Sequence, residues 1–224
     1  MSEDRIASFS VLGGTGNLGF ALVGRLAKAG YEVWIGSRDP AKAEASAAQV
    51  AAHGYPGVVK GAGLADAAAH CEVCVLAVPY AAHAGTLAQV KDAVQGKIVV
   101  DTTVPLMPPK VGTVQLPAAG SAAVETAQAL GPGVRIVSAL QNIGAEKLGS
   151  GGDIDSDVLV CGDDAASVEA VRALLGELGL RSWHAGPLAN SAAAEALTSV
   201  LIQLNRRYKL GQAGIRITGQ AEGK

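Results

Sequence analysis

Short, continuously apolar runs alternate with Ala-rich amphipathic segments along most of the chain. Runs such as KIVVD (97–101) and VCVLAV (73–78) lack polar alternation, which indicates strands buried on both faces of a parallel sheet covered by helices. The regular alternation of strand and helix signals predicts a doubly wound, Rossmann-like α/β fold. The predicted strands lie near 9–13, 31–36, 57–60, 73–78, 98–101, 134–138, 157–161 and 181–185. The predicted helices lie near 17–29, 40–52, 64–70, 82–94, 121–130, 164–178 and 188–208.

One long segment interrupts this alternation. Residues 104–120 contain PLMPPK and PAAG, a concentration of Pro and Gly that predicts an irregular excursion. With 224 residues, the chain is long for one domain and short for two large ones. We therefore expect a main domain over residues 1–144 and a smaller C-terminal α/β element over residues 145–224.

Composition narrows the function class. The chain is 49% hydrophobic and 17% charged with a net charge of -2, which favours a well-packed enzyme over a nucleic-acid binder, since the latter would show a basic excess. The apolar runs are too short for a membrane span, and the start MSEDR lacks a secretory signal, so we expect no membrane association and a cytoplasmic location. The odd count of three cysteines also fits a reducing compartment.

Two clusters of potential metal ligands have simpler explanations. Cys71 and Cys74 are three positions apart on a predicted strand and should therefore face opposite sides, so we interpret them, like Cys161, as structural thiols. Asp163 and Asp164 precede a helical segment, which predicts a helix N-cap rather than an ion site. No metal site is predicted.

The strongest chemical signal is the stretch SVLGGTGNLG at 10–19. Gly14, Gly16 and Gly19 form a G-x-G-x-x-G that follows a predicted strand and opens an amphipathic helix, which is the context of a dinucleotide-binding turn. The first glycine permits the tight turn, the second lets the backbone approach a pyrophosphate, and the third lets helix and strand pack closely. The helix N-terminus then supplies N–H groups to the phosphates.

The end of the second predicted strand distinguishes NADP from NAD. An NAD-binding protein usually carries an acidic residue there for the ribose hydroxyl, whereas this chain has Ser37 and Arg38, with Lys42 one turn later. A guanidinium can grip a phosphate with two parallel hydrogen bonds, and Lys adds a positive charge. Asp39 is better explained as an N-cap followed by Pro40. The pattern therefore predicts NADP as cofactor.

The sequence lacks the residue patterns of several common enzyme chemistries. No Tyr is followed by Lys four positions later, as a short-chain dehydrogenase requires, and no nucleophile triad or phosphate-binding P-loop is present. His83 follows a strand end, but we interpret it as a packed or surface histidine.

Hydride exchange between two heterocycles demands only proximity and orientation, and such a site should be apolar. The predicted strand ends at 77–80, 103–106 and 138–144 supply apolar residues at the edge where open α/β sheets bind ligands.

The chain resembles the NADPH-dependent coenzyme F420 reductases, also called F420H2:NADP oxidoreductases. This resemblance extends over nearly the whole chain and rests on LGGTGNLG (12–19), GSRDPAKAE (36–44), VLAVP (75–79), KIVVDTTVPL (97–106), VSALQNIGAEKL (137–148), DVLVCGDD (157–164), AGPLANS (185–191), EALTSVLIQLNRRYK (195–209) and AGIRI (213–217). It implies a cytoplasmic oxidoreductase, acting as a homodimer, that transfers a hydride reversibly between NADPH and the 5-deazaflavin coenzyme F420. The resemblance further implies that the C-terminal element closes the F420 cleft.

The resemblance also implies a set of cofactor-binding residues and no catalytic acid or base. Thr15, Gly16, Asn17 and Leu18 would cradle the pyrophosphate, and Ser37, Arg38 and Lys42 would bind the 2′-phosphate. The gap between nicotinamide and deazaflavin would be lined by Val78, Ala82, Val104 and Ala145, and the deazaflavin side would be contacted by Ile143, Ala145 and Ala213, partly through backbone N–H groups.

Two positions depart from the family pattern at the F420 pocket. Gln141 stands where many relatives carry His, and Tyr80 stands where some carry Trp. The alternatives are therefore an NADP-dependent reductase of another planar heterocycle, such as a flavin or pterin, and a non-catalytic NADP-sensing module. Arg206, Arg207 and Lys209 either complement a helix C-terminus or attract the anionic tail of F420.

Overall fold

The computed structural model describes residues 6–219, which leaves the acidic start at 1–5 and the polar end at 220–224 outside the described residues. Eight strands alternate with helices along this part of the chain. The strands are β1 (Ser8–Leu12), β2 (Glu32–Ser37), β3 (Val59–Gly63), β4 (Val73–Leu76), β5 (Ile98–Asp101), β6 (Arg135–Ser138), β7 (Asp157–Gly162) and β8 (Arg181–His184). The α-helices are α1 (Asn17–Lys28), α2 (Pro40–Ala51), α3 (Leu64–Ala69), α4 (Tyr80–Val90), α5 (Ala122–Leu130), α6 (Ala145–Gly149), α7 (Ala165–Glu177) and α8 (Ser191–Tyr208), and a 3-10 turn at Leu188–Asn190 precedes α8.

The strands form one sheet in the order β3-β2-β1-β4-β5-β6-β7-β8. Strands β1 to β6 pair with one another in parallel, which confirms the predicted doubly wound α/β fold. The strand order reverses between β1 and β4, and at such a switch point the connecting loops diverge to opposite faces and leave a crevice beyond the carboxyl ends of the strands. The fold thus places a candidate binding crevice beside the glycine turn that follows β1.

One pairing departs from the parallel sheet that the sequence predicts. β7 runs antiparallel to β6, with Val137 opposite Gly162 and Ser138 opposite Cys161. A parallel return needs a crossover that carries the chain back to the opposite edge of the sheet, and residues 139–156, which include the five-residue α6, make no such return. β7 therefore starts near the edge where β6 ends. β7 and β8 are again parallel, and the division of the chain at residue 144 into two domains stays a prediction.

Helices cover both faces of the sheet and bury two apolar clusters. One cluster packs α1, α2 and α7 against the sheet and includes Phe9, Leu26 and Val171, all at most 1% exposed. The other packs α3, α4 and α5 on the opposite face and includes Leu76 and Val90. Burial on both faces explains why these strands carry no polar alternation. Among residues 6–219, no helix combines the length and apolar character needed to span a bilayer.

The predicted turn chemistry is largely confirmed. Asp39 is the N-cap of α2 and accepts a hydrogen bond from Lys42 N, with Pro40 at the first helical position. Asp164 caps α7 by accepting from Ser167 N at 2.9 Å, which confirms its interpretation as a cap. Residues 102–121 contain neither helix nor strand, so the excursion predicted at 104–120 is also confirmed.

The geometric argument about Cys71 and Cys74 is wrong. β4 begins at Val73, so Cys71 precedes the strand, and both thiols lie in the same apolar cluster. Cys71 donates to Ser10 Oγ at 3.2 Å. A hydrogen bond between the two thiols is the largest cause of a Cys71 pKa lowered to about 6 and a Cys74 pKa raised above its ordinary value. All three cysteines are buried and free, as structural thiols would be.

Candidate functional site

The glycine turn after β1 joins the ends of two neighbouring strands. Gly13 has φ +85° and donates its N–H to Gly36 O of β2 at 2.8 Å. A Cβ at Gly13 would lie 2.5 Å from Ala77 O, which follows β4. The turn is therefore in close contact with the carboxyl ends of β2 and β4, and only a glycine fits at position 13.

The end of the motif lets α1 pack against the turn. A Cβ at Gly19 would lie 2.5 Å from Gly13 O and 2.8 Å from Gly14 Cα, so helix and turn are in backbone contact. The N-cap of α1 is Gly16, which has no side chain to cap the helix. The first-turn N–H groups at Asn17, Leu18 and Gly19 have no carbonyl within the helix to bind, and Thr15, Gly16 and Asn17 are exposed. This arrangement fits a dinucleotide pyrophosphate.

The predicted 2′-phosphate residues lie at the end of β2, directly beside the glycine turn. Ser37 is the last residue of β2, and its Oγ accepts a hydrogen bond from Asp39 N at 3.1 Å. Arg38 and Lys42 are exposed, and Lys42 Nζ lies 3.9 Å from Asp39 Oδ2. A contact of this length between exposed side chains is weak, so Lys42 can turn towards a ligand phosphate.

The apolar residues predicted beside the nicotinamide lie at the next strand ends. Val78 follows β4, Ala82 is in the first turn of α4, and Val104 follows β5; all three are half-buried. Thr102 N and Thr102 Oγ1 both donate to Leu76 O, at 3.1 and 3.0 Å, which joins the ends of β4 and β5. These residues therefore share one apolar edge of the crevice.

The predicted deazaflavin residues come together through the C-terminal segment. Gln212 Oε1 accepts from Lys147 N at 3.0 Å and so caps α6, which places Ala213 beside Ala145. The N–H of Ile143 donates to Leu140 O, and that of Ala213 donates to Asn205 Oδ1 at 2.8 Å. Ala145 N, at the first position of α6, has no carbonyl within that helix to bind and is the best placed of the three N–H groups to meet a ligand.

Gln141 stands at one of the two departures from the family pattern, and it is held in a defined orientation. Its Nε2 donates to Asp101 O and to Ser138 Oγ, both at 2.9 Å. Within residues 6–219, its buried Oε1 has no hydrogen-bond partner, and neither has the buried Oγ1 of Thr103. Unpaired polar atoms are costly when buried, and these two flank the end of β5, where the crevice lies.

Tyr80, the other departure, begins α4 and is half-buried. Its hydroxyl donates to Glu125 Oε2 at 3.0 Å. Burial and this hydrogen bond raise the pKa of Tyr80 to about 12, so the phenol stays neutral at physiological pH. His83 is 2% exposed and is hydrogen-bonded to Asp101 and Thr126, which confirms that it is packed inside the protein.

A groove of about 840 Å³ runs along α1 between α2 and α6. Of the predicted site residues, Thr15, Gly16, Asn17 and Ala145 line it, and those at the ends of β2, β4 and β5 do not. Its floor is the solvent face of α1, including Ala21 and Gly24. The chemistry predicted here belongs to the crevice at the strand ends, and the groove meets that crevice at the glycine turn and at Ala145.

A buried carboxylate behind the crevice was missed in the sequence. Glu195 of α8 is 0% exposed and accepts hydrogen bonds from Ala122 N at 2.7 Å and Ala123 N at 3.1 Å, at the start of α5. Burial is the largest cause of its pKa being raised to about 7; nearby Asp101 raises the pKa further, and the backbone hydrogen bonds lower it. The sequence signal that could have indicated this buried carboxylate was the single charged residue in the segment AAAEALTSVLI.

Glu195 predicts a pH-dependent stability difference. Its pKa in the folded chain lies above the ordinary value of 4.5, so it favours folding most below pH 4.5, and this contribution is lost as pH rises through about 7. The free energy of unfolding of the wild type, measured relative to that of Glu195→Gln, should therefore fall by about 3 kcal/mol between pH 4.5 and pH 7. Urea unfolding at several pH values measures this. The exposed Glu44→Gln variant is the control, and a difference that does not change with pH would contradict the assignment.

The cations at the end of α8 are solvent-exposed. Arg206 and Arg207 lie in the last turn, and Lys209 follows in the left-handed conformation with φ +53°. Their positions complement the helix C-terminus. Binding of an anionic cofactor tail by these residues stays a prediction.

Comparison with known proteins agrees with this geometry. The family model described as "NADP oxidoreductase coenzyme F420-dependent" matches residues 8–105. The chain is 39% identical to the F420-dependent NADP reductase of Methanothermobacter marburgensis, over 95% of this chain and 99% of that one. It is 37% identical to the protein of the same name from Methanocaldococcus jannaschii, over 93% and 97% of the two chains.

Solved structures share the fold. A hypothetical protein from Sinorhizobium meliloti has a TM-score of 0.67 at 25% identity, covering 85% of this chain and 89% of that one. An imine reductase from Bacillus cereus has a TM-score of 0.65 at 21% identity, covering 91% of this chain and 62% of that one, and its likeness concerns the fold alone. With a glycine turn built for a dinucleotide and near-complete coverage of these relatives at 37% identity or more, the chain belongs to the family of F420-dependent NADP reductases.

Proposed function

We propose that this protein is an oxidoreductase that transfers a hydride reversibly between NADPH and coenzyme F420. The observation that carries the proposal is the contiguous edge formed by the ends of β2, β1, β4, β5 and β6, which orders a phosphate site, a glycine turn and an apolar crevice. The relatives named F420-dependent NADP reductase support both cofactors.

The residues present fit these two groups. A Cβ at Gly13 or Gly19 would collide with backbone atoms, so these glycines let the turn and α1 adopt the close packing that leaves the first-turn N–H groups free for the pyrophosphate. We assign the pyrophosphate to Thr15, Gly16, Asn17 and Leu18, and the 2′-phosphate to Ser37, Arg38 and Lys42. The unpaired buried oxygens of Thr103 and Gln141 offer polar contacts at the floor of the crevice.

The rest of the assignment concerns the two rings. Val78, Ala82, Val104 and Ala145 would line the gap between them, and Ile143, Ala145 and Ala213 would face the deazaflavin. The nicotinamide and the deazaflavin supply the hydride donor and acceptor carbons. The chain's residues orient the rings and exclude water, and no side chain acts as an obligatory acid or base. Tyr80, held neutral by its raised pKa, offers an aromatic wall without adding a charge.

A homodimer and a cytoplasmic location complete the proposal. The solvent face of α8 exposes Val200, Leu204 and Tyr208, an apolar stripe of the kind that protein interfaces bury. The three free cysteines support a reducing compartment.

An absorbance assay with NADPH and several acceptors tests the function. We expect bleaching of the deazaflavin band of F420, and deuterium from C4 of labelled NADPH should appear at C5 of the product because the transfer is direct. Turnover of a flavin or pterin instead of F420 would support a reductase of another heterocycle. Binding of NADPH without turnover of any acceptor would support an NADP sensor.

A further inference from the structure

Asp101 is a fully buried carboxylate at the carboxyl end of β5. It is 0% exposed; its carboxylate accepts two hydrogen bonds and lies 3.2 Å from His83 Nε2, and its backbone carbonyl accepts two more. A buried carboxylate is tolerated only where such donors replace water. The proposed hydride transfer gives Asp101 no chemical step, so its retention inside the protein requires another explanation.

The donors come from both sides of the crevice. Asp101 Oδ1 accepts from Thr103 N at 2.8 Å, which bends the chain that leads to Val104. Asp101 O accepts from Ala139 N at 3.1 Å and from Gln141 Nε2 at 2.9 Å, both on the segment that follows β6. The Asp101 carboxylate thus holds the loop after β5, and the two hydrogen bonds to the segment after β6 are made by its backbone carbonyl.

Two further donors attach these loops to the helices behind them. Thr126 Oγ1 of α5 donates to Asp101 Oδ2 at 2.6 Å, and His83 Nε2 of α4 lies 2.8 Å from Thr126 Oγ1 and 3.2 Å from Asp101 Oδ2. Because the Thr126 hydroxyl gives its proton to Asp101, it must accept from His83 Nε2–H. The chain of donors therefore runs from His83 through Thr126 to Asp101 Oδ2. Because Oδ1 also accepts from Thr103 N, both side-chain oxygens must be acceptors, which a carboxylate provides and an amide does not.

The same segment after β6 is also attached to α8. Asn142 Nδ2 donates to Ala194 O, and Thr198 Oγ1 donates to Gln141 O, both at 2.9 Å. These contacts hold the outer side of the segment, and the backbone carbonyl of residue 101 holds its side towards β5. With this wall fixed, the distance between Val104 and Ile143 across the crevice depends on how the Asp101 carboxylate holds Thr103.

We infer that Asp101 is a positioning residue that sets the separation of the two walls between which the nicotinamide and the deazaflavin stack. The inference rests on the proposed function. Asp101 has no exposed surface and does not touch the reacting rings. Its carboxylate acts through the backbone of Thr103, which it ties to Thr126 and His83 on the helices behind the crevice.

Asp101→Asn tests this inference because it keeps the size of the side chain and one acceptor oxygen. The new amide either faces the donors Thr126 Oγ1–H and His83 Nε2–H or turns its NH2 towards Thr103 N, so the network must rearrange. A displacement of about 1 Å between reacting groups can cost about 100-fold in rate. We expect kcat for F420 reduction to fall about 30-fold, with the NADP+ dissociation constant within twofold of wild type, since the phosphate contacts lie elsewhere.

Thr126→Val is a milder second variant. It removes the hydroxyl but leaves the carboxylate and its contact with His83, so we expect about a fivefold loss in kcat. Asp92→Asn, an equivalent change at an exposed position after α4, should leave kcat unchanged.

In Asp101→Asn the primary isotope effect from deuterated NADPH should increase, because hydride transfer becomes more fully rate-limiting.

The readouts separate positioning from a general loss of fold. Rates are divided by the fraction of chains that bind NADP+, and amide hydrogen exchange is followed over residues 102–106, the loop that the carboxylate holds. Faster exchange there, with a reduced kcat per binding-competent chain, supports the inference. A corrected kcat within threefold of wild type, or unchanged exchange over 102–106 in both variants, overturns it. Absence of F420 turnover in the wild type would overturn the proposed function instead, and the exchange measurement would still decide the role of Asp101.

Discussion

Gly19→Ala should weaken NADPH binding by about 100-fold, roughly 2.7 kcal/mol. The added methyl group would lie 2.5 Å from Gly13 O and 2.8 Å from Gly14 Cα, and neither backbone atom can move without opening the turn. Opening the turn tilts the start of α1 away from β1 and spoils the alignment of its N–H groups with the pyrophosphate. Overpacking of this kind should also lower the free energy of unfolding by about 1–3 kcal/mol. Calorimetric titration with NADPH and urea unfolding measure the two effects.

The same helix offers a matched control. A Cβ at Gly24 would have no atom within 4 Å, and Gly24 lies inside α1 away from the turn. Gly24→Ala should therefore raise the free energy of unfolding by about 0.5–1 kcal/mol and leave NADPH affinity unchanged. If Gly19→Ala bound NADPH as tightly as the wild type, the pyrophosphate could not lie on this turn.

Arg38→Ala should raise the Michaelis constant for NADPH about 50-fold and that for NADH less than twofold. The guanidinium follows the last residue of β2 and is exposed beside the turn, where a 2′-phosphate would accept two charge-assisted hydrogen bonds. Such bonds contribute about 1.5–3 kcal/mol, which corresponds to the expected change in affinity. NADH lacks this phosphate and loses nothing when the guanidinium is removed. Initial rates with both dinucleotides measure the ratio.

Lys91→Ala serves as the charge control for this variant. Lys91 is exposed at the far end of α4 from the crevice, and its removal changes the net charge by the same amount. It should leave both Michaelis constants within a factor of about 1.5, as a distant surface charge is screened by salt. Equal losses with NADPH and NADH in Arg38→Ala would show that Arg38 does not recognise the 2′-phosphate.

The elements of the fold were predictable because their signals are local. The continuous apolar runs at β1, β4 and β5 and the caps at Asp39 and Asp164 depend on neighbours within a few positions, and both appear where the pattern places them. The reversed direction of β7 was not predictable in this way. The connection over residues 139–156 is long enough for either direction. Its helix, α6, spans five residues without a distinct periodic signal and is capped by Gln212 from the other end of the chain.

Some residues of the candidate site were likewise recognisable from local sequence, and others only from the tertiary structure. The glycine turn and the residues after β2 were recognisable because each is a short motif with its own chemistry. Asp101 and Glu195 were not, since an acidic residue at a strand end or in a helix is usually solvated, and here the donors come from residues 25 and 73 positions away. Gln141 shows both cases: its position beside the crevice follows from the strand pattern, whereas the orientation of its amide depends on Asp101 and Ser138.

By itself the sequence determined the α/β class, the dinucleotide turn and the preference for a phosphorylated ribose, because backbone freedom, strand burial and charge at a strand end are properties of adjacent residues. Only the tertiary structure decided which buried carboxylates hold the crevice together, how β7 closes the sheet, and how the C-terminal segment reaches α6. These features depend on hydrogen bonds between distant parts of the chain, and their energy exists only after folding has removed the competing water.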